Sequence, residues 1–303
     1  MIAPERILKT SRGELRLGGR MWLMGIVNAT PDSFSDGGRW QSLKERVALA
    51  EELLAAGADL IDVGGESGVT NRPAVDEREE IERVVPLIRE LAGPLGACVS
   101  VDTYKPAVAA AAIEAGAALV NDVSALYHPE LAEICAATGA GLVLMHTRAK
   151  PKQKLRDPGL DGRVTADVKA LLAERIELAL SRGVSREQLM LDPGPDFSKS
   201  PAQTLEVMRR LGELHEFGRP LLLAISRKDF IGAVTGRPPR ERLAGTLAAL
   251  AHGADQGAHM VRIHDLAAAR DFLAVREIMN SGEPLDYGLK LGDELRWERQ
   301  LPA

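Results

Sequence analysis

Cysteine is nearly absent: the 303 residues contain two, Cys98 and Cys135, at a spacing that matches no metal or redox motif. Both are expected as buried free thiols in a reducing cytoplasm, not as a disulfide framework. No apolar run approaches the roughly 20 residues that span a bilayer. The opening MIAPERILKTSRGELRLGG mixes charge with isolated apolar residues and lacks the continuous core of a signal peptide. Basic excess is missing too: the formal net charge is -5 and the pI about 5.8, which argues against nucleic acid or an anionic membrane as the main partner. There is no GxGxxG after the first apolar run, no GxxxxGK[ST] and no HExxH, so nucleotide-fold and zinc-protease readings lack support. Ser226-Arg-Lys228 does not resemble a nucleophile elbow, so covalent catalysis is not expected.

What the chain has is a repeated junction. Trp22–Val27 is a short apolar run that stops at Asn28-Ala-Thr-Pro-Asp-Ser. Such a run suits a strand buried on both faces, and the loop after it is where α/β folds bind ligands. The same apolar-then-polar change ends at Asp62 to Glu66, Asp102, Asn121-Asp122, Met145-His146, Asp192, Ser226-Arg-Lys228 and Arg262-Ile-His264, which makes eight. Helical periodicity fills the gaps: Ser42 and Glu45 have capping-box spacing ahead of Leu43, Val47, Ala50 and Leu54. Pro86 is expected to bend the following helix or to start its second half. Strands alternating with helices predict a parallel sheet with right-handed crossovers, and eight of them predict closure into a (β/α)8 or TIM barrel of roughly 250 residues. An open doubly wound sheet is the runner-up. Residues 1–20 read as an N-terminal strand or hairpin, 21–280 as the barrel, and 281–303 as a surface tail with a short final helix.

A carboxylate at one strand end is unremarkable, because Asp often caps the next helix. The set is harder to dismiss: Asp62, Glu66, Asp102, Asn121, Asp122 and Asp192, then Lys228, Arg262 and His264, all converging on one mouth if the barrel closes. Asp102, Asn121, Asp192 and Lys228 can read the edge of a flat heterocycle, since a carboxylate accepts two adjacent N–H groups, an amide gives and takes, and an ammonium donates to a ring carbonyl. Arg262, His264 and Asn28 suit a polyanion, with Asn28 available to a divalent metal.

The strings that carry these residues, MGIVNATPDSFSDGG, GADLIDVGGES, SVDTYKPAV, NDVSAL, LMH, LDPG, ISRKDFIG and VRIHD, occur in the order found in the dihydropteroate synthase family. Over about residues 20–280 the chain resembles that family of pterin-binding enzymes. The resemblance implies a TIM barrel that condenses 6-hydroxymethyl-7,8-dihydropterin diphosphate with 4-aminobenzoate, releasing pyrophosphate with the help of Mg2+, in a cytoplasmic homodimer. It places the pterin on Asp102, Asn121, Asp192 and Lys228, with Met145 as an apolar wall and Arg262 against its face. Asn28, Arg262 and His264 would hold the diphosphate and its metal, with Asn28 as the metal ligand. The loop Thr30, Asp32, Phe34 would close over the site, Phe34 and Phe197 shaping the arylamine pocket beside Ser226. Asn28, Asp102, Lys228, Arg262 and His264 are the residues expected to act on the reaction itself.

The chain departs from the family's pattern in four places. Its second loop, Gly64 to Ala74, is three residues longer than the family's GGESTRPG; Thr70 and Arg72 stand for the family's Thr-Arg pair and are expected to bind substrate. Asp196 and Ser198 replace two glycines, which removes some backbone freedom. Ala224 replaces a third. Asp229 stands where a serine usually helps hold the carboxylate of 4-aminobenzoate. Two negative charges about 4 Å apart repel by roughly 4 kcal/mol at an effective dielectric near 20, roughly a thousandfold in affinity. Either Asp229 caps the next helix and turns away, with Arg72, Arg148 or Lys150 adding positive charge, or the chain condenses a different amine. A non-catalytic pterin-binding protein is the remaining reading. The basic loop Arg148–Arg156 reads as a solvated lid.

Overall fold

Runs too short to form a helix and apolar on both sides have one stable arrangement, a strand covered on both faces, and eight of them here pair in parallel. In a computed structural model, residues 3–30, 42–68, 73–282 and 284–297 are described. An antiparallel hairpin, β1 (Arg6–Thr10) and β2 (Gly13–Leu17), precedes the sheet. The sheet comprises β3 (Trp22–Asn28), β4 (Leu60–Gly64), β5 (Val99–Asp102), β6 (Leu119–Asp122), β7 (Gly141–Met145), β8 (Leu189–Asp192), β9 (Leu222–Ala224) and β10 (Met260–Ile263). The covering helices are α1 (Leu43–Ala55), α2 (Glu77–Ala92), α3 (Pro106–Glu114), α4 (Glu130–Thr138), α5 (Val164–Ser181), α6 (Pro201–Arg209), α7 (Asp229–Thr235), α8 (Leu243–Asp255) and α9 (Leu266–Asn280).

The strand order β8-β7-β6-β5-β4-β3-β10-β9 closes on itself: Leu191 bridges Leu221 in parallel, and its N–H donates to the Pro220 carbonyl at 2.9 Å. That bridge rules out the open-sheet alternative. Inside the barrel Met24, Leu60, Leu119, Val143, Met190, Leu222 and Met260 form one apolar layer, and Leu8 and Leu17 of the hairpin pack onto it. The hairpin thus plugs the N-terminal end of the barrel. It is pinned there by Arg219, whose Nη2 donates to the Ile7 carbonyl at 2.7 Å, and by His259, whose Nε2 lies 2.9 Å from the Pro4 carbonyl. A second, larger core lies between the outer strand faces and the helices.

Ser42 caps α1 reciprocally with Glu45. α2 runs unbroken through Pro86, so the expected second start there is absent. The tail is exposed over its described residues, and its short helix is a single 3₁₀ turn, Asp293–Leu295. Cys135 is buried and Cys98 partly so, and both are free. No helix of the described residues is long and apolar enough to cross a membrane.

Candidate active site

Strand register does most of the assembly. Asn28, Gly64, Asp102 and Asn121 lie side by side across β3, β4, β5 and β6 at their C-terminal ends, and Met145 pairs with Asp192 across β7 and β8. Below Gly64, Asp62 is fully buried, and a buried carboxylate is tolerable only if its oxygens are occupied. Ser100 Oγ donates to it at 2.5 Å, Asn121 Nδ2 at 3.1 Å and Arg262 Nε at 2.6 Å. Arg262 also donates through Nη2 to Asp102 Oδ2 at 2.9 Å. The guanidinium expected over the ring face and the diphosphate therefore rests on two of the floor carboxylates.

Burial sets the protonation of this floor. It pushes the Asp192 carboxyl up to about 6, against the Gly194 N–H and the charge of Lys228. Asp102 is raised as well, first by burial and then by Asp62, with Arg262 opposing. Burial lowers Lys228, while Asp196, Asp192 and Asp102 pull it back up. Each of Asp102, Asp192, Lys228 and Arg262 thus bears on the charge of the others.

Lys228 precedes α7, and its Nζ sits 4.4 Å from the centre of the Phe197 ring. Phe197 belongs to the loop after β8, which begins with a forced glycine: Gly194 has φ +65°, and a Cβ there would lie 2.1 Å from the His146 carbonyl oxygen. Asp196 and Ser198, which replace glycines, keep the left-handed backbone at φ 65° and 52°. Their side chains are employed. Ser198 Oγ bonds Thr147 Oγ1 at 3.0 Å and accepts from Ala149 N–H at 3.1 Å, while Asp196 Oδ2 accepts from the N–H of Asp229 and of Phe230 at 2.5 and 3.3 Å. The same loop is held from inside by Lys199, whose Nζ donates to His146 Nδ1 at 2.7 Å and to the Gly194 and Phe197 carbonyls at 2.9 and 3.2 Å. Burial lowers Lys199 to about 7 and His146 to about 4.

Asp229 stays on the cavity wall, where it is paired with a cation. Its side chain is 85% exposed and accepts from Arg242 Nη1 at 2.9 Å, so the repulsion expected from its position is relieved by a paired cation. It is Asp196, not Asp229, that caps α7. Arg148 is committed to Asp167 and offers no spare charge to an acceptor. Ser226 supports His264, its Oγ lying 3.1 Å from the His264 backbone N and 2.9 Å from Nδ1. Burial, then Arg262 and Arg227, hold the imidazole down at about 3, so it meets an anion as a neutral N–H donor and not as a cation.

Outward of the floor lies a cavity of about 620 Å³ whose walls include Asp102, Lys228, Phe197, Glu66, Lys150 and Asp229. One side is a buried ion cluster that sequence reading did not foresee. Lys105 Nζ contacts Glu66 at 2.7 Å and Glu80 at 2.5 Å, and Tyr104 O–H donates to Glu66 at 3.1 Å. The basic loop reaches this cluster: Lys152 Nζ donates to the Ser67 carbonyl at 2.8 Å, so the loop is tied across the mouth. Glu66 was visible as a strand-end carboxylate and Lys105 lies within the string SVDTYKPAV just before α3, but Glu80 sits within α2 with no motif to mark it. Thr30 is buried at the end of β3. Asp32, Phe34, Thr70 and Arg72 lie outside the described residues.

A magnesium ion was tested against the donors present. No group of three or more His, Cys, Asp or Glu able to hold a metal exists among the described residues. The Asn28 amide oxygen, close beside Gly64 at the rim, is a neutral oxygen donor with the Asp102 carboxylate nearby. That fits Mg2+, which commonly takes few protein oxygens and completes its shell with phosphate oxygens and water.

A sealed parallel barrel whose open end gathers buried carboxylates, an amide, an ammonium and a guanidinium defines a binder of a flat, hydrogen-bonding heterocycle that carries an anion. The family described as pterin binding enzyme matches residues 24–264. Dihydropteroate synthase of Bacillus subtilis is 39% identical over 262 residues, covering 86% of this chain and 89% of that one. The Yersinia pestis dihydropteroate synthase solved with a sulfonamide drug complex superposes with a TM-score of 0.85 at 38% identity, over 91% of this chain and all of that one. The Xanthomonas albilineans enzyme in complex with 7,8-dihydropteroate gives 0.79 at 41% identity, over 89% and 97%. This chain belongs to the pterin-binding enzyme family, among its dihydropteroate synthases.

Proposed function

We propose that the chain joins 6-hydroxymethyl-7,8-dihydropterin diphosphate to 4-aminobenzoate, giving 7,8-dihydropteroate and pyrophosphate in folate synthesis. The observation that supports this reading is the row of strand ends, where Asp102 lies beside Asn121 and Arg262 bonds both Asp62 and Asp102, with Asp192 ending β8 and Lys228 following β9. The aminopyrimidinone edge of a pterin offers adjacent N–H donors to Asp192 and Asp102 and a carbonyl to Lys228. Arg262 presents the same kind of donors to Asp62 and Asp102 in the structure. Met145, buried in β7, supplies an apolar wall.

The methylene–oxygen bond breaks first. The cation left behind is conjugated with the electron-rich pterin, and the departing diphosphate is met by Arg262 and by the N–H of His264. The arylamine nitrogen then forms the new C–N bond and loses a proton to solvent. Bound Mg2+, held by Asn28, supplies charge neutralisation on the diphosphate. No protein nucleophile is needed. Phe197 serves the acceptor side; Thr30 and Ser226 serve substrate binding, as do Asp32, Phe34, Thr70 and Arg72 by their match to the family's strings. Asp229, being paired with Arg242, does not bar a carboxylated acceptor, which favours 4-aminobenzoate over another amine. Purified protein given pterin diphosphate, Mg2+ and 4-aminobenzoate should release pyrophosphate; none at saturating substrates refutes the reading.

We further propose a cytoplasmic homodimer. Two free thiols suit a reducing compartment. An apolar groove between α6, α7 and α8, lined by Met208, Phe230, Ile231 and the exposed Val234, offers the kind of surface a second copy covers. Light scattering should give twice the mass of 32.6 kDa.

A further inference from the structure

We infer that Asp196 is a positioning residue for Lys228: with Phe197 it grips Lys228 from two sides and so sets where the ammonium meets the substrate ring. The inference rests on the reaction proposed above. A glycine at position 196 would satisfy its left-handed backbone, φ +65°, but would provide no acceptor. The aspartate side chain adds three bonds to the one its backbone N–H makes. Oδ2 takes the two N–H groups that follow Lys228, Oδ1 accepts from Thr204 Oγ1 at 3.2 Å, and its own N–H donates to that hydroxyl at 3.1 Å. This fastens the β8 loop to both α6 and α7. The next residue, Phe197, places its ring 4.4 Å from the Lys228 ammonium. Arg242 completes the frame by donating to the Lys228 carbonyl at 3.1 Å.

A cap that only stabilised α7 would be worth its helix and nothing more. Asp196 differs because its charge also bears on the ammonium. The charged and titratable groups facing Lys228 are Asp192 on β8, Asp102 on β5, Arg262 on β10, His264 beyond it, Lys199 before α6, and Asp196; of the carboxylates, Asp196 does most to oppose the lowering of Lys228 by burial.

The test follows the Lys228 titration by NMR in full-length protein with 13C-labelled lysine, assigned with Lys228→Met, together with calorimetric binding of pterin diphosphate. Asp196→Asn keeps a side-chain acceptor and drops the charge. It should lower the Lys228 midpoint and weaken pterin diphosphate binding severalfold. Asp196→Gly, which also loses the fastening, should weaken binding further, and Asp196→Glu should restore part of it. An unmoved midpoint in Asp196→Asn with unchanged affinity overturns the inference, whatever happens to Tm. Failure of the unaltered protein to bind pterin diphosphate would count against the proposed reaction, and the lysine titration would still decide the role of Asp196.

Discussion

At the scale of the residue, the site depends on polar groups that burial makes responsive. Asp192, pushed up to about 6, takes a proton as pH falls through that value, and a protonated carboxyl no longer accepts two N–H groups. Pterin diphosphate affinity should therefore decline between pH 7.5 and pH 5, as read by calorimetry; a flat profile contradicts the assignment. Asp102→Asn removes one charged acceptor, worth about 1.5–3 kcal/mol, so affinity should fall roughly tenfold to a hundredfold with little change in Tm. The carboxylates were legible because strand ends announce themselves. What was not legible is where each charge rests: the Arg262 contacts with Asp62 and Asp102 span about half the chain, and the Asp229–Arg242 pair depends on the direction a side chain takes out of α7. Pattern carries no such information.

The elements that matter most are the β8 loop and the N-terminal hairpin. Two glycines lost from the loop suggested less backbone freedom, yet Asp196 and Ser198 adopt the glycine-like conformation and add bonds of their own. Asp tolerates that region better than most residues, which is why the substitution leaves the loop intact. Lys199→Met should release the carbonyls of Gly194 and Phe197 and raise KM for pterin diphosphate severalfold, seen in steady-state kinetics. At the other end of the barrel, His259 is held neutral, its folded value lowered to about 4 by burial. Its unfolded value is about 6.5, so between those limits the unfolded chain binds the extra proton. The stability this group contributes is complete above pH 6.5 and is lost as pH falls toward 4, by up to about 1.4 kcal/mol per unit. His259→Gln should flatten that part of the Tm-against-pH curve; an identical slope would show that other groups set it.

For the whole molecule, alternation of apolar runs and helical patterns sufficed to anticipate eight parallel strands, because each run is too short and too evenly apolar for anything else. Closure followed from the count, and the Leu191–Leu221 bridge provides it. Leu8 and Leu17 plug the lower end, and the candidate residues from Asn28 to His264 stand at the C-terminal ends of the strands, the opposite end of the barrel. The measurement that bears on this most directly is the mass spectrum of the product formed from pterin diphosphate, Mg2+ and a mixture of arylamines. Dihydropteroate from 4-aminobenzoate, appearing with one equivalent of pyrophosphate and reduced strongly by Asp102→Asn, is the expected result. A different adduct, or none while the folded protein binds pterin diphosphate, would contradict the account.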